Sequence, residues 1–277
     1  MKVVPKASDY SGVLEGLINA AVRRLTVKLY TINAFPANTT TKEWAQECWI
    51  LTCRAARKKF APADANTRIV TAISKRVSSV RSHLRDTVRS AVPRAYNLDD
   101  KVADDGVADA NKVQVLRLLR GAPKLFGYKD HESDTPAVFA EVPILMSSLQ
   151  QELFSSPTDI GPEFADMFDP MPIPVLALLL TCVEYGLDSW SAGRLDSSHA
   201  FRTSDYRSKY DAHRGWLVKD WEAMAPDIVK AIRHEMYEQV LRYGNITIQS
   251  RHQPEKVSDA TRERMRAALA ARYPPRA

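Results

Sequence analysis

Thr181, Glu184, Asp188 and Ser191 fall at steps of 3, 4 and 3. On a helix that spacing draws a single polar stripe. The stripe crosses an apolar stretch: Val175 to Val183 is almost wholly hydrophobic apart from Thr181. A carboxylate in such surroundings must be paired, hydrogen-bonded or protonated, because desolvating a lone charge is costly. One reading makes Glu184 or Asp188 an active-site acid of raised pKa or a metal ligand. The other makes them a structural ion pair with an Arg or His of a neighbouring helix.

A second group lies downstream. Tyr206, Tyr210, His213 and Trp221 recur at helical spacing, an aromatic stripe with one titratable member. If Glu184 and His213 meet across a helix pair they form an acid–base dyad with Tyr210 beside it. The competing reading is a plain core stripe whose histidine is satisfied internally. His234, Glu235 and Glu238 read H-E-x-x-E. A zinc protease needs a second imidazole where Glu238 stands, so no metal site is expected there. No glycine-rich phosphate loop, G-x-S-x-G or Cys/His nucleophile pattern occurs, which argues against a nucleotide-driven enzyme and against a cofactor.

The third constellation is cationic. Arg81, Arg85 and Arg89 are each one turn apart and Lys75 extends the row. Such a row can track successive phosphates of a nucleic acid. Arg57, Lys58 and Lys59 stand ahead of it, and Arg262, Arg264, Arg266 and Arg272 form a second cluster. No helix-turn-helix, zinc finger or RNP-like motif accompanies them, so binding would be led by the backbone. The rival is docking of these arginines on the acidic stretch Asp99 to Asp109.

The elements that must position these groups are helical throughout. Glycine is scarce, at 10 of 277 residues, and the apolar residues recur at helical spacing. Val13 to Leu29 marks a helix over 11–32, and Trp44, Cys48, Leu51 and Ala55 mark the buried stripe of one over 41–60. Ile69, Ile73, Val77, Val80, Leu84 and Val88 form one continuous seam that Pro93 stops. Asn97 to Ala108 reads as an exposed loop, and Val113, Leu116, Leu119 and Leu125 as a short helix. Pro136 or Pro143 opens the next, through Leu153. The apolar run over about 174–192 is short, opened by prolines and closed by carboxylates, the pattern of a helix buried on every side. Tyr206 to Met224 and Ile228 to Tyr243 supply two more. The expectation is one all-α, multi-helix domain around the 174–192 helix, with no sheet. It covers 1–250, and a basic helix or tail follows over 251–277.

Net charge is +6, unevenly spread. Residues 1–96 carry 17 basic and 6 acidic side chains, and 97–170 carry 6 and 14. That asymmetry suits a polyanion partner for the N-terminal third, or docking of that third on the acidic middle. Cys48, Cys53 and Cys182 show no C-x-x-C spacing, which points to a reducing compartment. Met1 to Gly12 lacks the apolar segment of a secretory signal, and no membrane-length apolar span exists. The expected location is intracellular, nuclear or cytoplasmic, with no membrane partner.

Several of these pieces together resemble a known pattern. Ala34-Phe35-Pro36 followed by Trp44-Ala45, Arg68-Ile69-Val70, Pro172-x-Pro174, Asp188-x-Trp190-Ser191-x-Gly193, and Tyr206 with Tyr210 and His213 are similar to an uncharacterised helical domain family of basidiomycete fungi. The match spans roughly residues 10 to 225. It implies an all-α domain and brings no activity with it. The charge layout favours a non-enzymatic intracellular helical binding module contacting nucleic acid through Lys75, Arg81, Arg85 and Arg89. Its alternatives are an enzyme with an interior site near Glu184, Asp188 and His213, and a protein-interaction scaffold.

Overall fold

The computed structural model describes residues 6–10, 12–57, 66–99 and 105–247. The expected boundary near residue 250, the arginine cluster of the tail, and Lys58, Lys59, Asp100 and Asp104 lie outside them. The fold is all-α, as the periodicity predicts, with no strand among the described residues. One isolated bridge joins Tyr128 to Phe139.

The helices are α1 (Val13–Thr31), α2 (Asn38–Ala55), α3 (Asn66–Ser74), α4 (Arg76–Ala95), α5 (Asp105–Leu118) and α6 (Pro143–Leu153). Two single turns, α7 (Ile160–Glu163) and α8 (Ala165–Phe168), lead into α9 (Ile173–Asp188). Then come α10 (Thr203–Trp216), a π-helical turn (Leu217–Glu222) and α11 (Pro226–Tyr243).

α9 is the hub, packed against α1, α4, α6 and α10. Pro174 suits its first turn, where a backbone N–H has no intrahelical partner to lose. Every residue from Ile173 to Leu187 is buried, and Leu176 to Val183 show at most 2% of their surface. Each large apolar side chain removed from water there contributes roughly 1.5–3 kcal/mol. α4 comes close enough that a Cβ on Gly186 would lie 2.6 Å from Val92 Cγ2. Past the end of α9, Gly193 takes φ +81°, and a Cβ there would lie 1.9 Å from the Ala108 carbonyl oxygen. A second core joins α1, α2 and α3 around Leu25, Cys48, Trp49 and Ile73.

The helices depart from the sequence pattern at several points. The long seam is two helices, divided at Lys75. Ile69, Ile73 and Val77 enter the α1–α2 core, while Leu84, Val88 and Val92 are buried farther along α4, the helix packed on α9. Pro93 does not stop α4, which continues to Ala95; its fixed φ is compatible with a helix, and what it removes is the one bond its absent N–H would have made to the Arg89 carbonyl. α2 is rotated from its predicted face, with Leu51 exposed and the fully buried Trp49 setting the orientation. α5 begins inside the expected loop and exposes Val113 and Leu116. Its inner face is anchored by Asn111, which accepts from Asp99 N and donates to the carbonyls of Asp99 and Gly193 at 2.7 and 2.9 Å.

Candidate functional site

The polar stripe of α9 meets α10 in register. Glu184 and Asp188 stand one turn apart, and Tyr206, Lys209 and His213 rise on the facing side of α10. His213 Nε2 lies 2.7 Å from Glu184 Oε2, so the pair anticipated from the sequence does meet. Lys209 Nζ reaches Glu184 Oε1 at 3.0 Å and Asp188 Oδ2 at 2.6 Å. Tyr206 donates its hydroxyl proton to Asp188 Oδ2 at 2.9 Å, and His199 Nε2 lies 2.9 Å from the same hydroxyl. Since that hydroxyl is already donating, it accepts from His199, which must carry its proton on Nε2. The His199 ring stacks on Tyr185, whose hydroxyl donates to the His199 carbonyl.

Electrostatically, this network is closed. Burial alone would raise the Glu184 carboxyl. The hydrogen bond and charge of His213, then those of Lys209, override it and hold the pKa at about 2. Burial works against the Lys209 ammonium, yet its bonds to Asp188 and Glu184 raise its pKa. Burial, then the Asp188 charge, pushes the Tyr206 phenol well up. An ionised carboxylate with both oxygens engaged is the opposite of a raised-pKa acid. Thr181 donates to the Ala177 carbonyl within its own helix, and Ser191 is exposed. Tyr210 stands outside the network, its hydroxyl accepting from Ala34 N at 3.2 Å.

Lys209 and His199 were not singled out in the sequence. Lys209 is legible in retrospect: it is three residues beyond Tyr206 and four before His213, on the same face of α10. His199 sits in an irregular loop and has no periodic signal.

The cationic row also departs from expectation. Arg81 does not face solvent: it is 7% exposed, donates Nη1 to the Ala34 carbonyl at 2.9 Å and lies 4.6 Å from the Phe35 ring centroid. Arg85 is half-buried, bidentate to Asp86, and lies over Tyr185 and Phe201 at 5.9 and 5.8 Å. Arg89 donates to the Asp196 carbonyl at 2.6 Å and lies 5.5 Å from Tyr185. The physical reason is aromatic: the rings of α9, the 194–202 loop and the 33–36 turn line the face that a helical wheel would assign to water. Asp105 pairs with Arg194 instead. Lys75 alone of the row is exposed.

His234 Nδ1 lies 2.6 Å from Asp169 Oδ1 on the surface, and among the described residues no group of three or more potential ligands could hold a metal. No helix among them is long and apolar enough to cross a membrane. A family model described as a domain of unknown function (DUF6532) matches residues 20–221. No curated protein and no solved structure matches the chain.

Proposed function

The chain belongs to the DUF6532 family, whose description assigns no activity, and we propose a function read from its own side chains. The proposed function is that of a non-enzymatic helical binding module that meets a polyanion, nucleic acid foremost, through the junction of α2, α3 and α4. The observation in its favour is a run of unspent charge. Between Glu47 and Asp86 stand nine Lys or Arg and a single acid, Asp64. Of these, Arg54, Arg57, Arg68, Lys75 and Arg76 are exposed and make no ion pair among the described residues. Arg68 and Lys75 are two turns apart on one face, about 10 Å along the axis. Contacts of this kind fix a phosphate backbone without reading bases.

The interior network favours the structural reading over an enzyme. Each Glu184 oxygen already faces a cationic partner, which keeps the carboxylate ionised, and Lys209 is shared between two carboxylates. Cellular location belongs to the same proposal: three free, buried cysteines suit a nuclear or cytoplasmic protein. The motif resemblance adds a basidiomycete origin.

The test is an anisotropy titration with a DNA duplex at two salt concentrations. Five phosphate contacts give a slope of log K on log salt near −4 to −5. Changing Arg54, Arg68, Lys75 and Arg76 to Gln should remove most of that slope and leave the melting temperature unchanged. No binding at low salt overturns the proposal.

A further inference from the structure

We propose that Arg81 and Arg207 form a second, separate site, a guanidinium fork between α4 and α10 that takes a single phosphate group. The two helices aim both side chains at one three-residue turn. Arg81 Nη1 donates to the Ala34 carbonyl at 2.9 Å, and Arg207 Nη2 donates to the Pro36 carbonyl at 3.1 Å. A buried guanidinium is ordinarily paired with a carboxylate. Arg81, 7% exposed, has none among the described residues, and neither does the exposed Arg207 beside it. Arg85, one turn along α4, differs in holding Asp86.

The charged and titratable neighbours of Arg81 are Arg207 and Cys182. Burial pushes the Cys182 thiol far up, so it supplies no negative charge near neutral pH. Burial first, and the Arg207 charge second, lower the Arg81 pKa to about 10. The two guanidiniums thus meet the turn's carbonyls with no carboxylate bonded to either among the described residues, and two opposed charges, Arg214 and Asp211, act on Tyr210 at the Ala34 N–H. Each guanidinium carries five N–H donors in a planar fork, and each spends one on a carbonyl. A tetrahedral oxyanion accepting from both balances the charge. Arg207 is exposed, which gives the ligand its side of approach.

The experiment is calorimetric titration of the full chain with inorganic phosphate and, separately, with O-phosphoserine. Thermal melts in phosphate and in chloride at equal ionic strength accompany it. Saturable binding of either phosphate compound, with a higher melting temperature than in chloride, is expected. Arg207→Gln, at an exposed position, should fold normally and lose about ten-fold in affinity, as when one charge-assisted hydrogen bond is removed. A variant with Arg54, Arg68 and Lys75 changed to Gln should keep the response, which separates this site from nucleic-acid binding. Equal melting temperatures in phosphate and chloride overturn the proposal. So does an Arg207→Gln response equal to that of the wild type.

Discussion

Two regions of this molecule are rich in Arg and Lys and use them in opposite ways. Along α4, against α9, the 194–202 loop and the 33–36 turn, Arg81, Arg85 and Arg89 are absorbed by aromatic rings and backbone carbonyls. At the junction of α2, α3 and α4, Arg54, Arg57, Arg68, Lys75 and Arg76 stand in solvent. A helical wheel treats both sets as an outer face. What separates them is whether aromatic side chains from distant segments arrive above the helix. An arginine is apolar enough across its planar faces to be buried by rings, so cationic periodicity alone does not define a surface.

Neutralising each set of cations and measuring unfolding should separate the two regions most strongly. Changing Arg81, Arg85 and Arg89 together to Gln should cost on the order of 5 kcal/mol, from lost cation–π contacts and charged hydrogen bonds. That approaches the whole stability of a domain. The same change at Arg54, Arg68 and Lys75 should stay within about 0.5 kcal/mol per site. Equal losses in urea titrations would erase the distinction.

A smaller effect belongs to the network between α9 and α10. Glu184→Gln should cost roughly 1–3 kcal/mol, because His213 and Lys209 lose a charged acceptor. Its pH dependence has a definite sign. The Glu184 pKa falls from 4.5 in the unfolded chain to about 2 in the fold. Its contribution is therefore complete above pH 4.5 and is lost as pH falls from there towards 2. Melting temperatures across that window should fall less steeply in the variant than in the wild type. Lys209 works at the other end: its raised pKa supplies stability present below 10.5 and lost as pH rises through the folded value. Lys209→Met should flatten the alkaline limb.

The smallest effect is expected at His234. It touches Asp169 on an exposed surface, and the Asp169 hydrogen bond raises its pKa above 6.5. An NMR titration should place the imidazole above that value. His234→Gln should shift stability by no more than about 0.5 kcal/mol, since exposed pairs are screened.

The legible parts of this fold were those fixed by local chemistry. The extent of α1, the proline starts of α6 and α11, and the complete burial of α9 follow from periodicity and missing N–H groups. The Glu184–His213 contact was legible too, since both residues occupy helix faces that must find a neighbour. The faces of α2 and α5 were not. Trp49 outweighs Leu51 by filling a pocket made by α1 and α3, and Asn111 wins an inward place through three backbone hydrogen bonds. Both depend on segments far along the chain. The same holds for the burial of Arg81, which needs the 33–36 turn to fold over it.

Asn111 has a consequence for motion. Its amide ties the chain just after α4, the body of α5 and the turn after α9 into one point. With Val113 and Leu116 outside, α5 has modest apolar anchorage of its own. Its backbone amides should therefore exchange with deuterium as one cooperative unit, at a free energy well below global unfolding. In Asn111→Ala that unit should open more often, and α9 should keep its slow exchange. A single carboxamide thus governs how often one flank of the domain unlatches while the hub stays closed.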